Sequence, residues 1–348
     1  MRFLPDQDHR TYAATVRRLL ADAEPVKAAR AWAAGDQGPG RELWRALADT
    51  GLPALAVPEE RDGLGWYPPE LASAFVEIGR AGAPGPLVET VALAAALGHG
   101  TGGAQGATAG PWLPRILTGD LLVTVADPAA WALGQDPGAY AVDAHLADAV
   151  FVTDADAVHL AVPGGAPLPS IDPTRHLVRC APVTPVETGE PVPGDGARLR
   201  ALATLLTAAQ ALGAGQALLA GSVEYAAQRT QFGRAIGSFQ AVKHQLATVA
   251  VALEFAEPLL HGAALAVRGD SGGAADPRDL PAAKAACSRA AHQAARTALQ
   301  VHGALGYTDE YDLTLPLRKA RALHDAWGTP AACHAAILAT ATAQGGGA

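Results

Sequence analysis

A chain of 348 residues can bury one large core or two to three modest ones, so neither disulfides nor metals are needed to hold it together. Hydrophobic residues make up 49% and aromatics only 5%, because alanine does much of the apolar work; that mixture favours closely packed helices. A net charge of -8 with no run of Lys or Arg excludes a nucleic-acid partner, which demands a basic face, and is too small to imply disorder.

The opening residues MRFLPDQDHRTYAATVRRLL carry scattered charges and no apolar h-region, so a secretory signal is not expected. Residues 8 to about 118 then show helical periodicity punctuated by Gly and Pro. In RELWRALADTGL the positions Leu43, Trp44, Leu47 and Leu52 mark one face and Gly51 fits a helix stop; in PELASAFVEIGRAG the buried side is Leu71, Phe75, Val76 and Ile78. ALAVPEERDGLGW between them is a loop.

From Gly119 to Asp195 the texture changes. LLVTVA, DAVFVT and AVHLAV are short, partly alternating runs that read as strands, and the proline-rich PVTPVETGEPVPGDG reads as a connector. About eighty residues suffice for a small sheet. After Ala197 the helical signal returns in four segments, 197 to 229, 238 to 267, 276 to 303 and 311 to 326, whose short connections predict an antiparallel bundle. The uncharged run ALATLLTAAQALGAGQALLAGSV, 201 to 223, is long enough for a membrane span, but its Thr, Gln and Gly content predicts a helix buried in that bundle. AQGGGA reads as a frayed terminus. The three cysteines Cys180, Cys287 and Cys333 have no CxxC spacing, which predicts buried thiols in a cytoplasmic protein without a metal site.

Three constellations carry candidate chemistry. In RTQFGRAIGSFQAVKHQLA, Arg229 ends a helix, Phe232 and Gly233 turn the chain, and Gln240 with His244 opens the next helix. Arg229 offers a donor fork suited to a pyrophosphate, and the helix start adds free amides; the competing reading is a solvated arginine beside an ordinary turn. In ALQVHGALGYTDEY, Gly303 and Gly306 allow close backbone approach and Gln300 can bond an adenine edge or a diphosphate, while the competing reading is a helix cap with Gly303 as its left-handed residue. The third is LRKARALHDAWGTP, ending in Trp327, Gly328 and Thr329.

In this order the three motifs resemble the C-terminal half of the acyl-CoA dehydrogenase family. LWRALADTGLPALAVPEERDGLGW, ELASAFVEIGRAGAPGPLVETVALAAALG and WLPRILTGDLL resemble its N-terminal helical domain, and LPSIDPTRHLVRC, 168 to 180, is similar to a segment of the shorter actinobacterial members. The resemblance implies a mainly α protein with a small β domain: an N-terminal helical domain over 1–118, a reduced β domain over 119–195 and a C-terminal four-helix bundle over 196–348, assembled as dimers or tetramers. It also implies FAD at subunit boundaries, with Arg229, Phe232, Gln240, Gln300, Gly303 and Thr329 in cofactor-binding positions; the second glycine of the QxxGGxG turn is Ala304 here.

The same resemblance puts a glutamate, the base that takes the α-proton of an acyl thioester, where this chain has Trp327. A second branch of the family carries that glutamate near the start of the first bundle helix, at the position of Ala203 or Thr204. An indole has no site to accept a proton. The flavin-ring loop departs too: VADPAAWALGQDPGAY keeps Asp127 and Pro128 without the glycine-serine portion, and Trp131 reads as a stacking or core residue. The resemblance thus implies a non-catalytic subunit beside a homologous catalytic chain, acting on an acyl-CoA or acyl-carrier-protein thioester. Two alternatives stay open. One is a stand-alone enzyme with a displaced base, for which Asp325 and His324 are candidates, or with non-redox chemistry on the thioester such as dehydration or isomerisation; the other is a flavin-free binding protein of inherited fold.

Overall fold

A computed structural model describes residues 6–100, 111–128, 139–153, 157–182, 194–269 and 276–345. Six helices come first: α1 Gln7–Asp22, α2 Pro25–Ala33, α3 Gly38–Asp49, α4 Pro68–Ala81, α5 Leu87–His99 and α6 Trp112–Leu117. Their starts and stops follow local chemistry. Asp6 caps α1 by accepting the amides of Asp8 and His9 while the His9 ring accepts the Asp6 amide; prolines occupy the first turns of α2, α3 and α4; Gly82 ends α4 at φ +69°. The amphipathic faces read from the sequence are the ones buried, with Leu43, Trp44, Leu47, Leu71, Phe75 and Ile78 in the core and Val76 only partly covered. In α5, by contrast, every position from Leu87 to Gly98 is buried, including Glu89.

Five strands form one sheet: β1 Val123–Ala126, β2 Ala139–Val142, β3 Ala149–Thr153, β4 Val158–Pro163 and β5 Leu177–Pro182, in the order β1-β3-β4-β5-β2. β1 runs parallel to β3, with Val123 opposite Ala149, and the other pairings are antiparallel, Ala139 lying opposite Cys180. The three runs read as strands correspond to β1, β3 and β4. β2 and β5 were not legible: AYAV is too short and alanine-rich to show alternation, and LVRCAP carries an arginine in an apolar run. Most of the proline-rich connector, and Trp131, lie outside the described residues.

The C-terminal helices are α7 Gly196–Gln228, α8 Gln240–Arg268, α9 Asp279–His302 and α10 Thr314–Asp325, and a fifth, α11 Pro330–Gly345, follows them. Four segments were expected; α11 is the addition, and it packs on α9. Between α7 and α8 a two-stranded hairpin pairs β6 Thr230–Gln231 with β7 Arg234–Ala235. Helix α7 is the hub, packed by α4, α5, α8, α9 and α10. Its meeting with α4 is a backbone-on-backbone contact. A Cβ on Gly213 would stand 1.9 Å from the Val76 carbonyl oxygen, and one on Gly79 would stand 2.2 Å from that of Gln210, so glycine is required on both helices. By length and composition α7 and α8 could each cross a membrane, yet 78% of the most apolar window of α7 is buried inside the protein, which accounts for its hydropathy.

Candidate functional site

Helix α10 ends at Asp325, and the chain leaves it through Ala326 into Trp327 at φ 52° and Gly328 at φ 117°. A positive φ is costly for a bulky aromatic residue, about 1–3 kcal/mol. The side chain explains why it is held there. Only 3% exposed, the indole donates from Nε1 to Oε1 of Glu89 over 2.9 Å, while the Thr204 hydroxyl donates to the Trp327 carbonyl over 3.2 Å. Ala203, beside it, is fully buried in α7. The two positions at which the resemblance looks for a glutamate therefore meet through this contact.

Glu89 is the residue that sequence reasoning missed. It comes from α5, 238 residues away, is 1% exposed, and has the Arg175 guanidinium 3.8 Å from the oxygen that receives the indole N–H; its other oxygen has no hydrogen-bond partner among the described residues. A signal was available: the one carboxylate in LVETVALAAALG, an otherwise uncharged helix buried on every side, requires a polar partner from elsewhere.

Arg175 belongs to the segment 168–180, which is fastened at three places. Asp172 accepts from the Thr174 amide and hydroxyl at 2.9 and 2.8 Å, and its second oxygen lies 3.2 Å from the Lys319 ammonium of α10. Lys319 also donates to the Thr174 hydroxyl at 2.9 Å. The His176 amide donates to Asp143, and that carboxylate, 3.5 Å from the ring Nδ1, raises the His176 pKa. On the other flank of α10, buried Lys284 donates to Ser288 at 2.8 Å and to the last-turn carbonyls of Leu323 and His324 at 3.3 and 3.2 Å. Burial lowers its pKa to about 8. These cations hold α10, and through it the Trp327 turn.

Asp325 and His324 lie differently. Asp325 accepts from Arg321 at 2.5 Å and pairs with the His324 ring at 2.6 Å. Partial burial pulls its carboxyl upward, but the bonds from Arg321 and His324 outweigh that and leave it below the ordinary aspartate value, which suits an ion pair better than a base. Asp127 is buried 3.5 Å from Arg200.

The proposed cofactor arms sit on the surface. Arg229 is exposed just past α7, with no side-chain partner among the described residues, and Phe232 at the hairpin tip is 91% exposed. Phe232 takes φ 52° beside Gly233 at φ 79°, and its ring is 6.2 Å from Phe239, over which the Arg234 guanidinium lies at 4.1 Å. Gln240 opens α8, and Gln300 is exposed on the last turn of α9. Gly303 follows at φ 58° and ψ -132°, so it is not the left-handed cap of the competing reading; the chain enters a 3-10 turn over Gly303–Tyr307, with open space where a Gly303 Cβ would be. Gly306 packs on Leu299, and Ala304 is exposed. The Thr329 hydroxyl is taken up in receiving the Ala332 amide at the start of α11, 3.1 Å away. All three thiols are buried, and burial pushes Cys180 to about 11 and Cys287 to about 12.

Two family models match this chain: the acyl-CoA dehydrogenase N-terminal domain over residues 6–120 and the acyl-CoA dehydrogenase C-terminal domain over residues 201–341. The chain belongs to the acyl-CoA dehydrogenase family. Among its relatives, acyl-CoA dehydrogenase IpdE2 of Mycobacterium tuberculosis is 34% identical over 319 residues, 91% of this chain and 92% of that one. IpdE2 of Mycolicibacterium smegmatis is 30% identical over 91% of this chain and 93% of its own length. Two solved structures share the acyl-CoA dehydrogenase fold. The ChsE4-ChsE5 complex from Mycobacterium tuberculosis matches with TM-score 0.79 at 24% identity, covering 98% of this chain and 99% of that one. Butyryl-CoA dehydrogenase from Megasphaera elsdenii matches with TM-score 0.75 at 19% identity, covering 99% and 100%.

Proposed function

We propose that this acyl-CoA dehydrogenase is the non-catalytic member of a heteromeric dimer or tetramer in the cytoplasm, lending the adenosine side of an FAD site to a homologous catalytic chain that desaturates an acyl thioester. The observation that carries the reading is Trp327: where the family resemblance expects a proton-accepting carboxylate, a buried indole is tied by its only donor to Glu89. Arg229, Phe232, Gln240 and Gln300 are exposed and make no side-chain hydrogen bond among the described residues, which fits groups that reach a dinucleotide across a boundary. The stripe Val251, Phe255 and Leu259 on α8, 54%, 73% and 46% exposed at one-turn spacing, fits a second chain lying against the bundle. The relation to IpdE2 supports the acyl-CoA dehydrogenase part of the reading.

When bound, the flavin supplies the hydride acceptor, and on this reading the partner supplies the base. The chain's own residues orient and shield: Arg229 and Gln300 grip the phosphate and adenosine end, Phe232 covers it, and Trp327 fills the chain's own thioester pocket so that water and substrate stay out. The test is purification with and without a co-expressed catalytic acyl-CoA dehydrogenase chain. Flavin-loaded, active enzyme is expected only from the pair, and a yellow, active preparation of this chain alone would overturn the reading.

One observation favours a second reading, an enzyme whose base is displaced. Glu89 is a carboxylate of this chain beside Trp327, and one of its oxygens has no hydrogen-bond partner among the described residues. Glu89→Gln keeps an oxygen for the indole, so it removes the proton acceptor without breaking the contact. On the first reading turnover of the assembly changes by less than about twofold; on the second it drops by about a hundredfold or more.

A further inference from the structure

A cleft of about 320 Å³ lies where the N-terminal helices α1 and α4 meet α8 of the bundle. α1 and α4 run side by side in the same direction, His9 lying 3.4 Å from Glu70 and Arg17 bonding Glu77. α8 lies against them in reverse, with the His261 ring 5.6 Å from that of His9 and Glu257, one turn earlier, toward Glu77 and Arg80. Between the two ends the lining is apolar: Ala13, Ala14, Ala72, Val76 and Leu260. At the Glu77 end the charges are largely spent. Arg17 donates to Glu77 at 2.8 and 2.7 Å and Arg80 at 3.1 Å, and Arg80 also reaches Gln216 at 2.6 Å. Three lining groups differ. His261 is only 7% exposed and makes no hydrogen bond among the described residues. Arg10 and Glu257 are exposed, and their side chains make no ion pair or hydrogen bond among the described residues. Burial, followed by the charge of His9, holds the His261 pKa below the ordinary histidine value, so the ring is neutral and offers one N–H donor. A buried polar ring without a partner is unfavourable in the free chain, and a ligand atom that bonds it removes that cost.

We infer that this cleft binds a small amino acid whose ammonium and carboxylate are separated by several methylenes, the ammonium on Glu257 and the carboxylate on Arg10 and His261. The unpaired groups are of opposite sign and sit at opposite ends, so a ligand with a single charge leaves either Arg10 or Glu257 without a partner. His261 and Glu257 are one turn apart, about 6 Å along α8, which is too far for the adjacent charges of an α-amino acid and suits an intervening alkyl chain. That chain lies over the alanine floor, where it removes apolar surface from water. The Arg10 fork matches a carboxylate in two parallel bonds, and the His261 N–H adds a third donor. None of these residues belongs to the Trp327 turn or to the arms around Arg229, so the inference goes beyond the heteromer reading and does not rest on it.

The test is calorimetric titration of the full-length chain at low ionic strength with δ-aminovalerate, alongside valerate, pentylamine and glycine. Saturable binding of δ-aminovalerate with a dissociation constant below about 1 mM is expected, with each of the other three weaker by about tenfold or more. E257Q removes the advantage over valerate, R10Q removes the advantage over pentylamine, and R18Q, on α1 but outside the cleft, changes neither. Both substituted cleft residues are exposed, so thermal unfolding of the two variants without ligand is expected to match that of the parent. Saturating δ-aminovalerate raises the melting temperature of the parent and leaves that of E257Q/R10Q where it was. The inference is overturned by a dissociation constant weaker than about 1 mM, by valerate or pentylamine binding as well as the amino acid, or by variants that bind like the parent. It is also overturned if the substitutions leave amino-acid binding alone and instead weaken association with a catalytic chain, which would make the cleft a protein contact. A chain that binds δ-aminovalerate here but never yields a flavin-loaded assembly sinks the heteromer reading and leaves this one standing.

Discussion

Trp327 combines a favourable contact with an unfavourable backbone, and substitutions separate the two. Trp327→Ala removes a buried indole, which costs about 3–5 kcal/mol, and keeps the Cβ that makes φ 52° expensive. Trp327→Gly removes the same indole but relieves the backbone, so it is expected to be more stable than the alanine variant by about 1 kcal/mol, the reverse of the usual order for these two residues. Urea midpoints of the two variants check this, and an alanine variant equal to or above the glycine variant would mean that the turn is unstrained. Lys284 gives a second prediction. Its folded pKa, about 8, lies below the 10.5 of an ordinary lysine, so between those values the unfolded chain holds more protons than the folded one and stability rises with pH. The penalty is fully present below pH 8 and is relieved as pH climbs toward 10.5, a gain on the order of 2 kcal/mol. Lys284→Met removes this dependence. Parallel denaturation curves for parent and variant at pH 7.5 and pH 10 decide the point, and an identical pH response of the two proteins would contradict it.

At the scale of elements, α4 and α7 meet where Gly79 and Gly213 leave backbone against backbone. Gly213→Ala drives a methyl to within 1.9 Å of the Val76 carbonyl, so the two helices must part; a loss of about 2–4 kcal/mol is expected despite the better helix propensity of alanine. Gly164→Ala, with only the Arg179 carbonyl oxygen at 3.5 Å, is the comparison that is expected to cost little. Thermal unfolding of both variants measures the difference. The helices themselves were legible because their signals are local: the apolar spacing of α3 and α4, Gly51 and Gly82 beyond their ends, and the turn formers of RTQFG. The interior pairings were not. Glu89 is bound to Trp327, Asp172 to Lys319 and Lys284 to the end of α10 across 238, 147 and 39 to 40 residues, and nothing in a linear reading says which buried polar group meets which. What the sequence does expose is the anomaly of a lone charge in an apolar helix, as in LVETVALAAALG and PAAKAACS. α11 was missed for a different reason: its run of alanines carries little periodicity, and its start depends on the Thr329 hydroxyl capping Ala332.

At the scale of the whole molecule, the surface divides the two halves of the fold by what they leave uncovered. α5 is buried on all sides, whereas α8 keeps Val251, Phe255 and Leu259 in solvent and the hairpin beside it keeps Phe232 there. Exposing one large apolar side chain is ordinary; a stripe of three on one helix beside an exposed phenylalanine fits the contact surface that the heteromer reading requires. Burying each such side chain is worth about 1.5–3 kcal/mol, and aromatic residues at the centre of a contact carry a disproportionate share. On the heteromer reading, Phe255→Glu weakens pairing with the catalytic chain by about 2 kcal/mol or more, roughly thirtyfold in dissociation constant, because a carboxylate then has to be desolvated in the contact. The same substitution leaves the isolated chain intact, since Phe255 is 73% exposed and makes no core contact there. Size-exclusion chromatography of the co-expressed pair, alongside thermal unfolding of the single chain, distinguishes the outcomes. Loss of the pair with an unchanged melting temperature locates the partner on α8, and an intact pair removes α8 from the interface and leaves the arms around Arg229 and Phe232 to hold the assembly alone.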